Sequence, residues 1–326
     1  MESATSLAIP APKALPPNIM LKFPAVLFAT LTMAVALCTA EETSPAVDVH
    51  NGVTTKQPTP QSNSAAETLS GEDVAAENEL LESANKSRAL AGAPPLRMDD
   101  SLREAAKAHA QRMVASDQLE HQFPGEPGLL ERIALVGSSD GRIKDQLKDQ
   151  LKIDRAGENI ANAVNATGAN EVLMRSPPHR ENLLNAGFNL AGIAAVWSKG
   201  RLYVVQDFAH EVPSYSAQQT GQLVGRAIGE IRQQSGMPEL DQLTPPNLDK
   251  AACSLAEESR PNAHLLATAY NNRKVITYTQ SHPEVLPQGA LRMLSDPEVR
   301  YFAVGACYAR NAAYPTGMYW VAILLY

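Results

Sequence analysis

The sequence contains little cysteine: three residues among 326, at positions 38, 253 and 307. So few cysteines exclude a disulfide framework as the main source of stability. The chain also lacks an excess of positive charge, since 28 Lys and Arg stand against 35 Asp and Glu, for a formal net charge of −7. A nucleic-acid-binding protein needs a basic surface to neutralise phosphates, so we expect no nucleic-acid partner.

Long hydrophobic runs are also lacking, with one exception between Phe23 and Ala40. This run follows Met20 and ends in small residues, which is the pattern of a secretory signal peptide. We therefore expect residues 1–40 to be an N-terminal extension and signal peptide, with translation starting at Met1 or at Met20. The protein is then secreted or located in the periplasm or cell envelope, with no membrane span in the mature chain. The alternative is a retained membrane anchor.

Composition divides the remaining chain into three parts. Residues 41–75 are rich in Ser, Thr, Pro and acidic residues and show no apolar period, which is typical of a disordered linker. The rest is long enough for two domains, expected at 77–210 and 219–326.

The second domain repeats parts of the first. The pattern Arg, three residues, Gly, one residue, Pro, one residue, Leu occurs at 88–96 and again at 232–240. The segment LREAA at 102–106 likewise corresponds to LDKAA at 248–252. We therefore predict an internal repeat whose second copy is degenerate, because it lacks the polar segments described below.

Apolar spacing and turn residues predict the local elements. A helix is expected to end at Gly92, and a second one to be capped by a residue of 99–101. A surface helix is expected at 144–152. Strand pairs are expected around turns at 198–200 and 315–317.

Several polar residues are expected to have structural roles. His109 lies on the apolar stripe of the second helix, where a packed and hydrogen-bonded side chain is the default. Glu131 and Arg132 are adjacent in LLERIA and favour a structural ion pair. His264 and His282 lie in the second domain and are expected at the surface or in packing contacts.

The segment SPPHRENLL, which begins at Ser176, predicts the start of a helix. Ser176 is a typical N-cap, and the two prolines that follow occupy first-turn positions, where a missing N–H costs nothing. His179 then lies in the first turn, where the helix macrodipole disfavours the imidazolium form. A neutral imidazole can bind a metal ion or accept a proton.

His179 is one of three polar signals in the first domain, with His121 in LEHQF and Glu158 in AGENIA. Together with GAPPL at 92–96 and the run YVVQDF, these segments resemble the bacterial branch of the CAP superfamily. That superfamily comprises the cysteine-rich secretory, antigen 5 and pathogenesis-related proteins, which share the SCP domain. The resemblance covers roughly residues 77–210, in order and spacing.

The resemblance implies an α+β fold, a three-layer α-β-α sandwich, followed here by a second, degenerate CAP-like unit. The family's central cleft presents two histidines and two acidic residues and sometimes holds a divalent cation. Its fourth member does not carry over, because Ser176 stands where animal and plant members have a glutamate, and Leu173 replaces a tryptophan. The expected cleft residues are His121, Glu158 and His179, with Ser176 and Glu181 as secondary candidates.

Two chemistries remain open for this cleft. Two imidazoles and a carboxylate can hold Zn²⁺ with one open position, so His121, His179 and Glu158 are candidate metal ligands and zinc the candidate cofactor. Alternatively, Glu158 and His179 form a buried hydrogen-bonded pair that fastens the loop to the helix.

For the whole protein, we expect a non-catalytic binding module that contacts a lipid or another component of the cell envelope. The alternative is a metal-dependent hydrolase in which Glu158 acts as general base on a metal-bound water. A remote alternative is a serine hydrolase at Ser139, because GSSDG at 137–141 matches the nucleophile-elbow pattern. Whether the protein is an enzyme remains open at this point.

Export also bears on the cysteines. Cys38 leaves with the signal peptide, so that Cys253 and Cys307 remain and are candidates for one disulfide.

Overall fold

A computed structural model describes residues 4–9, 71–136, 151–271 and 274–326. The predicted signal-peptide run, most of the predicted linker and Ser139 lie outside these ranges. So does most of the helix expected at 144–152; its last two residues are described and are not helical. Among the described residues, no helix has the length and apolar composition that crossing a membrane requires.

The first unit combines one sheet with five helices in the described ranges. Its elements are β1 (Ala4–Ile9), β2 (Gly71–Glu72), α1 (Val74–Leu90), β3 (Arg97–Met98), α2 (Asp100–Ser116), α3 (Leu129–Leu135), β4 (Ile153–Ala163), α4 (Ala166–Arg175), α5 (Pro177–Leu184), β5 (Leu190–Ser198) and β6 (Arg201–Glu211). The strand order is β1-β4-β6-β5-β2, and β3 runs parallel to β5 at its edge.

The second unit contains a smaller sheet. Its elements are α6 (Ala217–Gln234), β7 (Asp241–Leu243), α7 (Leu248–Glu257), α8 (Ala263–Ala269), β8 (Lys274–Gln280), α9 (Gln288–Leu294), β9 (Tyr301–Asn311) and β10 (Tyr314–Leu325). The strand order is β7-β9-β10-β8, with β7 parallel to β9.

Helices cover both faces of each sheet, because successive strand residues point to opposite sides. In β5, Ile193 packs with α1, α4 and α5, whereas Ala194 packs with α2. In β10, Val321 packs with α6 and α9, whereas Trp320 packs with α7 and α8. The predicted α+β class is confirmed: a three-layer α-β-α sandwich is followed by a second α+β unit.

Local sequence signals explain several element boundaries. The Asp99 side chain accepts a hydrogen bond from the N–H of Leu102 at 3.0 Å and caps α2, so Asp99 is the cap among the candidates at 99–101. Asp73 caps α1 in the same way, and α1 therefore begins inside the predicted linker. Lys199 and Gly200 both have positive φ, which suits the tight β5–β6 turn expected at 198–200.

The last strand pair differs from the expectation. Its turn lies at 312–313 rather than at 315–317, because the Asn311 side chain accepts hydrogen bonds from the N–H groups of Ala313 and Tyr314. The expected turn residues form an irregularity inside β10. There the Thr316 hydroxyl donates to the carbonyl of Ile153 at 3.3 Å and joins the two units.

Two buried arginines make matching bonds in the two units. Nε of Arg88 and Nε of Arg232 each donate to the carbonyl six residues further on, both at 2.7 Å. Nη1 of Arg88 donates to the carbonyl of Leu183 in α5, and Nη1 of Arg232 to that of Leu294 in α9, both at 2.8 Å. Each arginine therefore ties the first helix of its unit to a later one.

Two strand glycines also match. A Cβ added at Gly192 in β5 would lie 2.1 Å from the backbone carbon of Leu102, and one added at Gly305 in β9 would lie 2.5 Å from that of Leu248. Leu102 and Leu248 begin the corresponding segments LREAA and LDKAA. Only glycine permits this close approach of helix to strand in both units.

Tyr319 is central to the junction between the units. Its hydroxyl accepts a hydrogen bond from the N–H of Tyr215 at 2.7 Å and donates to the carbonyl of Pro213 at 3.1 Å. The ammonium of Lys152 lies 4.0 Å from the ring centre of Tyr308, and burial lowers the pKa of this lysine. The junction is therefore an aromatic contact that encloses a cation.

Candidate functional site

Glu158 lies at the centre of a group of ionisable side chains beneath the loop that follows α2. We call this group the polar cluster. Its members are His109, His121, Glu126, Arg132, Glu158 and Asp207. Each is buried, apart from His121, whose side chain is 16% exposed. Elements that are distant in sequence, namely α2, its following loop, α3, β4 and β6, supply these side chains.

Both carboxylate oxygens of Glu158 are engaged. Nδ1 of His121 lies 2.7 Å from Oε1, and Nη2 of Arg132 donates to Oε2. Arg132 also donates through Nη1 to the backbone carbonyl of His121 at 3.1 Å. The guanidinium thus holds both the histidine loop and the carboxylate of β4.

Asp207 faces Glu158 across the pairing of β4 with β6. Both carboxyl groups are fully buried, and burial raises the pKa of Glu158 to about 7. Burial, followed by the charge of Glu158, raises the pKa of Asp207 well above its ordinary value. Two buried carboxyl groups that face each other disfavour ionisation of both, and the guanidinium of Arg132 places a positive charge beside Glu158.

His109 and Glu126 form a second pair in the polar cluster, and Nε2 of His109 lies 4.0 Å from Oε2 of Glu158. Nδ1 of His109 lies 2.8 Å from Oε1 of Glu126, and Nε2 lies 2.8 Å from the carbonyl of Glu120. The other oxygen of Glu126 accepts a hydrogen bond from the N–H of Phe123 at 3.0 Å. Burial lowers the pKa of His109. His109 is thus a packed, hydrogen-bonded core residue, as its position on an apolar stripe predicts.

His179 is buried in the first turn of α5, where the sequence places it. Its backbone carbonyl accepts a hydrogen bond from Nδ2 of Asn159 at 3.0 Å, and Nδ2 of Asn182 donates to the carbonyl of Glu158 at 3.2 Å. In the described part of the chain, no bond joins the side chains of Glu158 and His179. The expected pair is therefore absent, and asparagines fasten α5 to β4 instead.

The two secondary candidates lie outside the polar cluster. Ser176 begins α5 as predicted but makes no side-chain capping bond, and Glu181 lies on the exposed face of that helix. Helical spacing explains the placement, since the buried residues of α5 are His179, Asn182 and Leu183.

The predicted ion pair of Glu131 with Arg132 is wrong. Glu131 accepts a hydrogen bond from the N–H of Gly128 at 3.3 Å and caps α3, whereas Arg132 points inwards to Glu158. Neighbouring residues of a helix point in different directions, so adjacent charges do not face each other. The sequence motifs also do not single out Asp207. The segment YVVQDF places this acid inside an apolar run of the kind that forms a buried strand, where a carboxyl group needs a specific partner.

The polar cluster does not fit a divalent cation in this arrangement. Within the described ranges, no group of three or more His, Cys, Asp or Glu side chains is placed to hold a metal ion. In addition, Arg132 occupies one oxygen of Glu158 and brings a positive charge next to it. A cation at that carboxylate would face a guanidinium at hydrogen-bonding distance.

An apolar groove opens beside the polar cluster, between α2 and α3. We call it the α2–α3 groove. Its volume is about 500 Å³. Its apolar lining residues are Ala105, Ala108, Pro127, Leu135 and Val136, and its charged ones are Glu104, Arg112 and, from the polar cluster, Glu126 and Arg132. Leu135 is 53% exposed. The groove has the size of a small-molecule site.

Comparison with known proteins agrees with this architecture. Residues 81–208 match the sequence profile of CAP, described as the cysteine-rich secretory protein family. Residues 81–208 form a CAP domain. The match includes His121, Arg132, Glu158, His179 and Asp207, so the polar cluster lies within this domain.

Individual relatives of the CAP domain are distant. The uncharacterized protein YkwD of Bacillus subtilis is 27% identical over 163 residues, which are 49% of this chain and 58% of that protein. This chain thus covers less than two thirds of its relative.

Two solved structures show a likeness to part of the chain. An extracellular protein of Bacillus anthracis with an SCP domain is 22% identical, covering 42% of this chain and 40% of that one, with a TM-score of 0.34. An outer surface protein of Borrelia burgdorferi is 17% identical, covering 44% of this chain and 99% of that one, with a TM-score of 0.36. Both TM-scores are below 0.5, so the assignment of the CAP domain rests on the sequence match.

Proposed function

We propose that this protein is an exported, non-catalytic binding module of the cell envelope or exterior. The α2–α3 groove is the observation that carries the proposal, because it offers an apolar surface that borders on Glu126 and Arg132 of the polar cluster. Its ligand is the acyl chain of an envelope lipid. Ala108, Leu135 and Val136 supply apolar contact, and Arg112 supplies a positive charge for an acidic headgroup.

The state of Glu158 argues against the hydrolase alternative. A general base needs a free oxygen that reaches a water molecule, but both oxygens of Glu158 are bonded to protein side chains and the residue is fully buried. The serine-hydrolase alternative has no support in the structure, since Ser139 lies outside the described residues.

Export is proposed on the sequence alone, from the signal-peptide pattern that ends at Ala40. The disulfide between Cys253 and Cys307 is compatible with an oxidising compartment.

The second unit is proposed to be a duplicated CAP unit that has lost its polar cluster. Within the sheets, Gly192 stands opposite Asp207, and the matching Gly305 stands opposite Ala322. The same register places Thr277 opposite Ala322, as Glu158 is opposite Asp207.

In the helices, Leu294 matches Leu183 through the arginine bonds, which aligns Ala290 with His179. The replacements are thus Thr277 for Glu158, Ala290 for His179 and Ala322 for Asp207. Apolar or neutral residues remove the need for a buried counter-charge, so this unit serves as a packing scaffold.

The groove is tested by binding of a dansyl-labelled dodecanoate to the full chain, followed by fluorescence. Ala108 is exposed on α2, so Ala108→Trp fills the groove without disturbing the core. We expect this variant to bind at least about tenfold more weakly. Ala115→Trp is the matched control, because Ala115 is exposed on the same helix outside the groove. Equal binding by both variants, or no binding by the wild type, would contradict the proposal.

Turnover assays with ester and peptide substrates test the hydrolase alternative. We expect no turnover that depends on Glu158. Turnover by the wild type that disappears in a folded Glu158→Gln variant would replace the binding module with an enzyme.

A further inference from the structure

One wall of the α2–α3 groove is the short helix α3, which has seven residues. An isolated helix of this length is not stable in water, so tertiary contacts hold it in place. Leu129 and Ile133 anchor its beginning and its middle, because both are buried in a cluster with residues of α2 and the sheet. The groove-lining residues Leu135 and Val136 lie at its end. The position of these two side chains therefore depends on what holds the end of α3.

The second unit contacts the end of α3 through Arg310 of β9. Nη1 of Arg310 donates to the backbone carbonyl of Ala134 at 3.3 Å, immediately before the two groove-lining residues. A cationic side chain that bonds to the last carbonyls of a helix stabilises that end. The neighbouring strand β10 also lies against α3. The second unit thus holds the helix beyond Leu129 and Ile133.

The environment of Arg310 favours this bond. The side chain is partly buried, and burial lowers its pKa. Within the described ranges Arg310 makes no ion pair, and the acceptor of its hydrogen bond is the carbonyl of Ala134. A guanidinium that has lost part of its hydration needs such an acceptor. Breaking the bond is therefore unfavourable for the arginine as well as for the helix end.

Other bonds across the junction reach β4 rather than α3. The hydroxyl of Thr316 donates to the carbonyl of Ile153 at 3.3 Å, and the hydroxyl of Ser281 donates to Oδ2 of Asp154 at 3.3 Å. Ile153 and Asp154 are not among the residues that line the groove. Thr316 and Arg310 therefore separate two effects, namely joining the units and holding the wall of the groove.

We propose that Arg310 is a positioning residue of the α2–α3 groove. Through this side chain the second unit fixes Leu135 and Val136 and thereby sets the affinity of the groove for its ligand. The statement about affinity rests on the proposed lipid-binding function. By linkage, a ligand that fills the groove also strengthens the contact of Arg310 with α3. The second unit is then part of the binding module and not only a packing scaffold.

Amide hydrogen exchange and binding of dansyl-labelled dodecanoate, both measured on the full chain, test this inference. The N–H of Val136 donates to the carbonyl of Arg132 and reports on the end of α3, whereas the N–H of Arg132 donates to the carbonyl of Gly128 and reports on its start. In Arg310→Met, which removes the donor, we expect the Val136 amide to exchange at least about threefold faster and dodecanoate to bind at least about threefold more weakly. The Arg132 amide should change less.

Two further variants separate the hydrogen bond from other effects. Arg310→Lys retains an N–H donor and should restore both values. Thr316→Val removes a junction bond that ends on β4, so it should leave the Val136 amide and the affinity unchanged. A failure of Arg310→Lys to restore the values would assign the effect to lost packing and overturn the inference.

Equal exchange of the Val136 amide in the wild type and Arg310→Met would also overturn it, as would faster exchange with unchanged affinity. The wild type alone decides the matter if Arg310→Met does not fold, because bound dodecanoate should slow exchange of the Arg310 and Asn311 amides in β9. Unchanged exchange there contradicts the coupling. A wild type that binds no dodecanoate would overturn the proposed function, whereas exchange of the Val136 amide would still show whether Arg310 holds α3.

Discussion

Asp154 and His282 face each other across the junction of the two units, with Nε2 of His282 3.9 Å from Oδ2 of Asp154. The other oxygen of Asp154 lies 2.7 Å from Nδ1 of His210, and the hydroxyl of Ser281 donates to Oδ2 at 3.3 Å. The Asp154 side chain is nearly buried. One carboxylate of the first unit therefore binds groups from both units, and His282 makes the packing contact that the sequence favours.

Replacement of Asp154 is expected to weaken this junction. Burial raises the pKa of Asp154, but hydrogen bonds from Arg155 and His210 outweigh it and hold the pKa below 3.8. The ionised carboxylate thus contributes stability above pH 3.8, and that contribution is lost as the pH falls through the folded-state pKa. We expect Asp154→Asn to lower the free energy of unfolding by about 1.5–3 kcal/mol at pH 7.

Urea unfolding of the full chain at pH 7 and below the folded-state pKa checks this prediction. The wild type and Asp154→Asn should converge at the lower pH, where the carboxyl group is protonated and resembles the amide. Asp241→Asn is the control, because Asp241 is exposed on β7. A difference that is equal at both pH values would contradict the assigned charge of Asp154.

The Glu158 and Asp207 pair predicts a pH dependence of opposite sign. Burial raises the pKa of Glu158 from 4.5 to about 7, so its contribution is fully present below pH 4.5 and is lost as the pH rises through 7. Asp207→Asn removes one of the two titrating groups. We expect the free energy of unfolding of the wild type to fall between pH 5 and pH 8 by more than that of Asp207→Asn. Denaturant unfolding across this range measures both slopes, and Glu181→Gln, at an exposed site, should leave the wild-type slope unchanged.

Because Arg88 and Arg232 make matching bonds, we expect their replacement to lower the free energy of unfolding by similar amounts. Arg88→Lys and Arg232→Lys keep the charge, but a lysine cannot reproduce the fork of guanidinium bonds to several carbonyls. We expect each variant to lose about 2–4 kcal/mol of unfolding free energy. Thermal and denaturant unfolding of both variants measures the losses, with Arg226→Lys, exposed on α6, as the control. A loss confined to Arg88→Lys would show that the second unit does not depend on its arginine.

The disulfide leads to one prediction about free thiols and one about the free energy of unfolding. Cys253 of α7 and Cys307 of β9 are bonded, with Cα atoms 5.1 Å apart, and they lie 54 positions apart in sequence. We expect the exported protein to show no alkylatable thiol at these two positions without reductant. Replacing both by alanine should cost about 2–4 kcal/mol, because the bridge restricts the unfolded chain. Peptide mapping under non-reducing conditions measures the pairing, and two alkylated thiols would refute it.

Local elements were predictable where one short segment carries the whole signal. The capping aspartate of α2, the β5–β6 turn and the start of α5 all depend on residues within a few positions of each other. The β9–β10 turn was misplaced because Pro315 and Gly317 look like turn residues in isolation. The Asn311 side chain and the contact of Thr316 with the first unit decide the outcome instead.

The candidate site was predictable in part. Motifs indicate His121, Glu158 and His179, of which His121 and Glu158 lie together in the polar cluster and His179 does not belong to it. No motif indicates their partners. Arg132 was assigned to its neighbour Glu131, and Asp207 was not assigned at all. Cross-strand register, which no local pattern contains, puts Asp207 opposite Glu158.

The sequence by itself determined the start of α2 to within three residues, the start of α5, the β5–β6 turn and the family of the first unit, because these depend on short motifs and on periodicity. Only the tertiary structure decided what binds Glu158. Arg132 and His121 are 26 and 37 residues away from it in sequence, and packing of α3 against the sheet brings them to the two carboxylate oxygens. A buried charge takes whichever counter-charge the fold places beside it, and here the fold places a guanidinium.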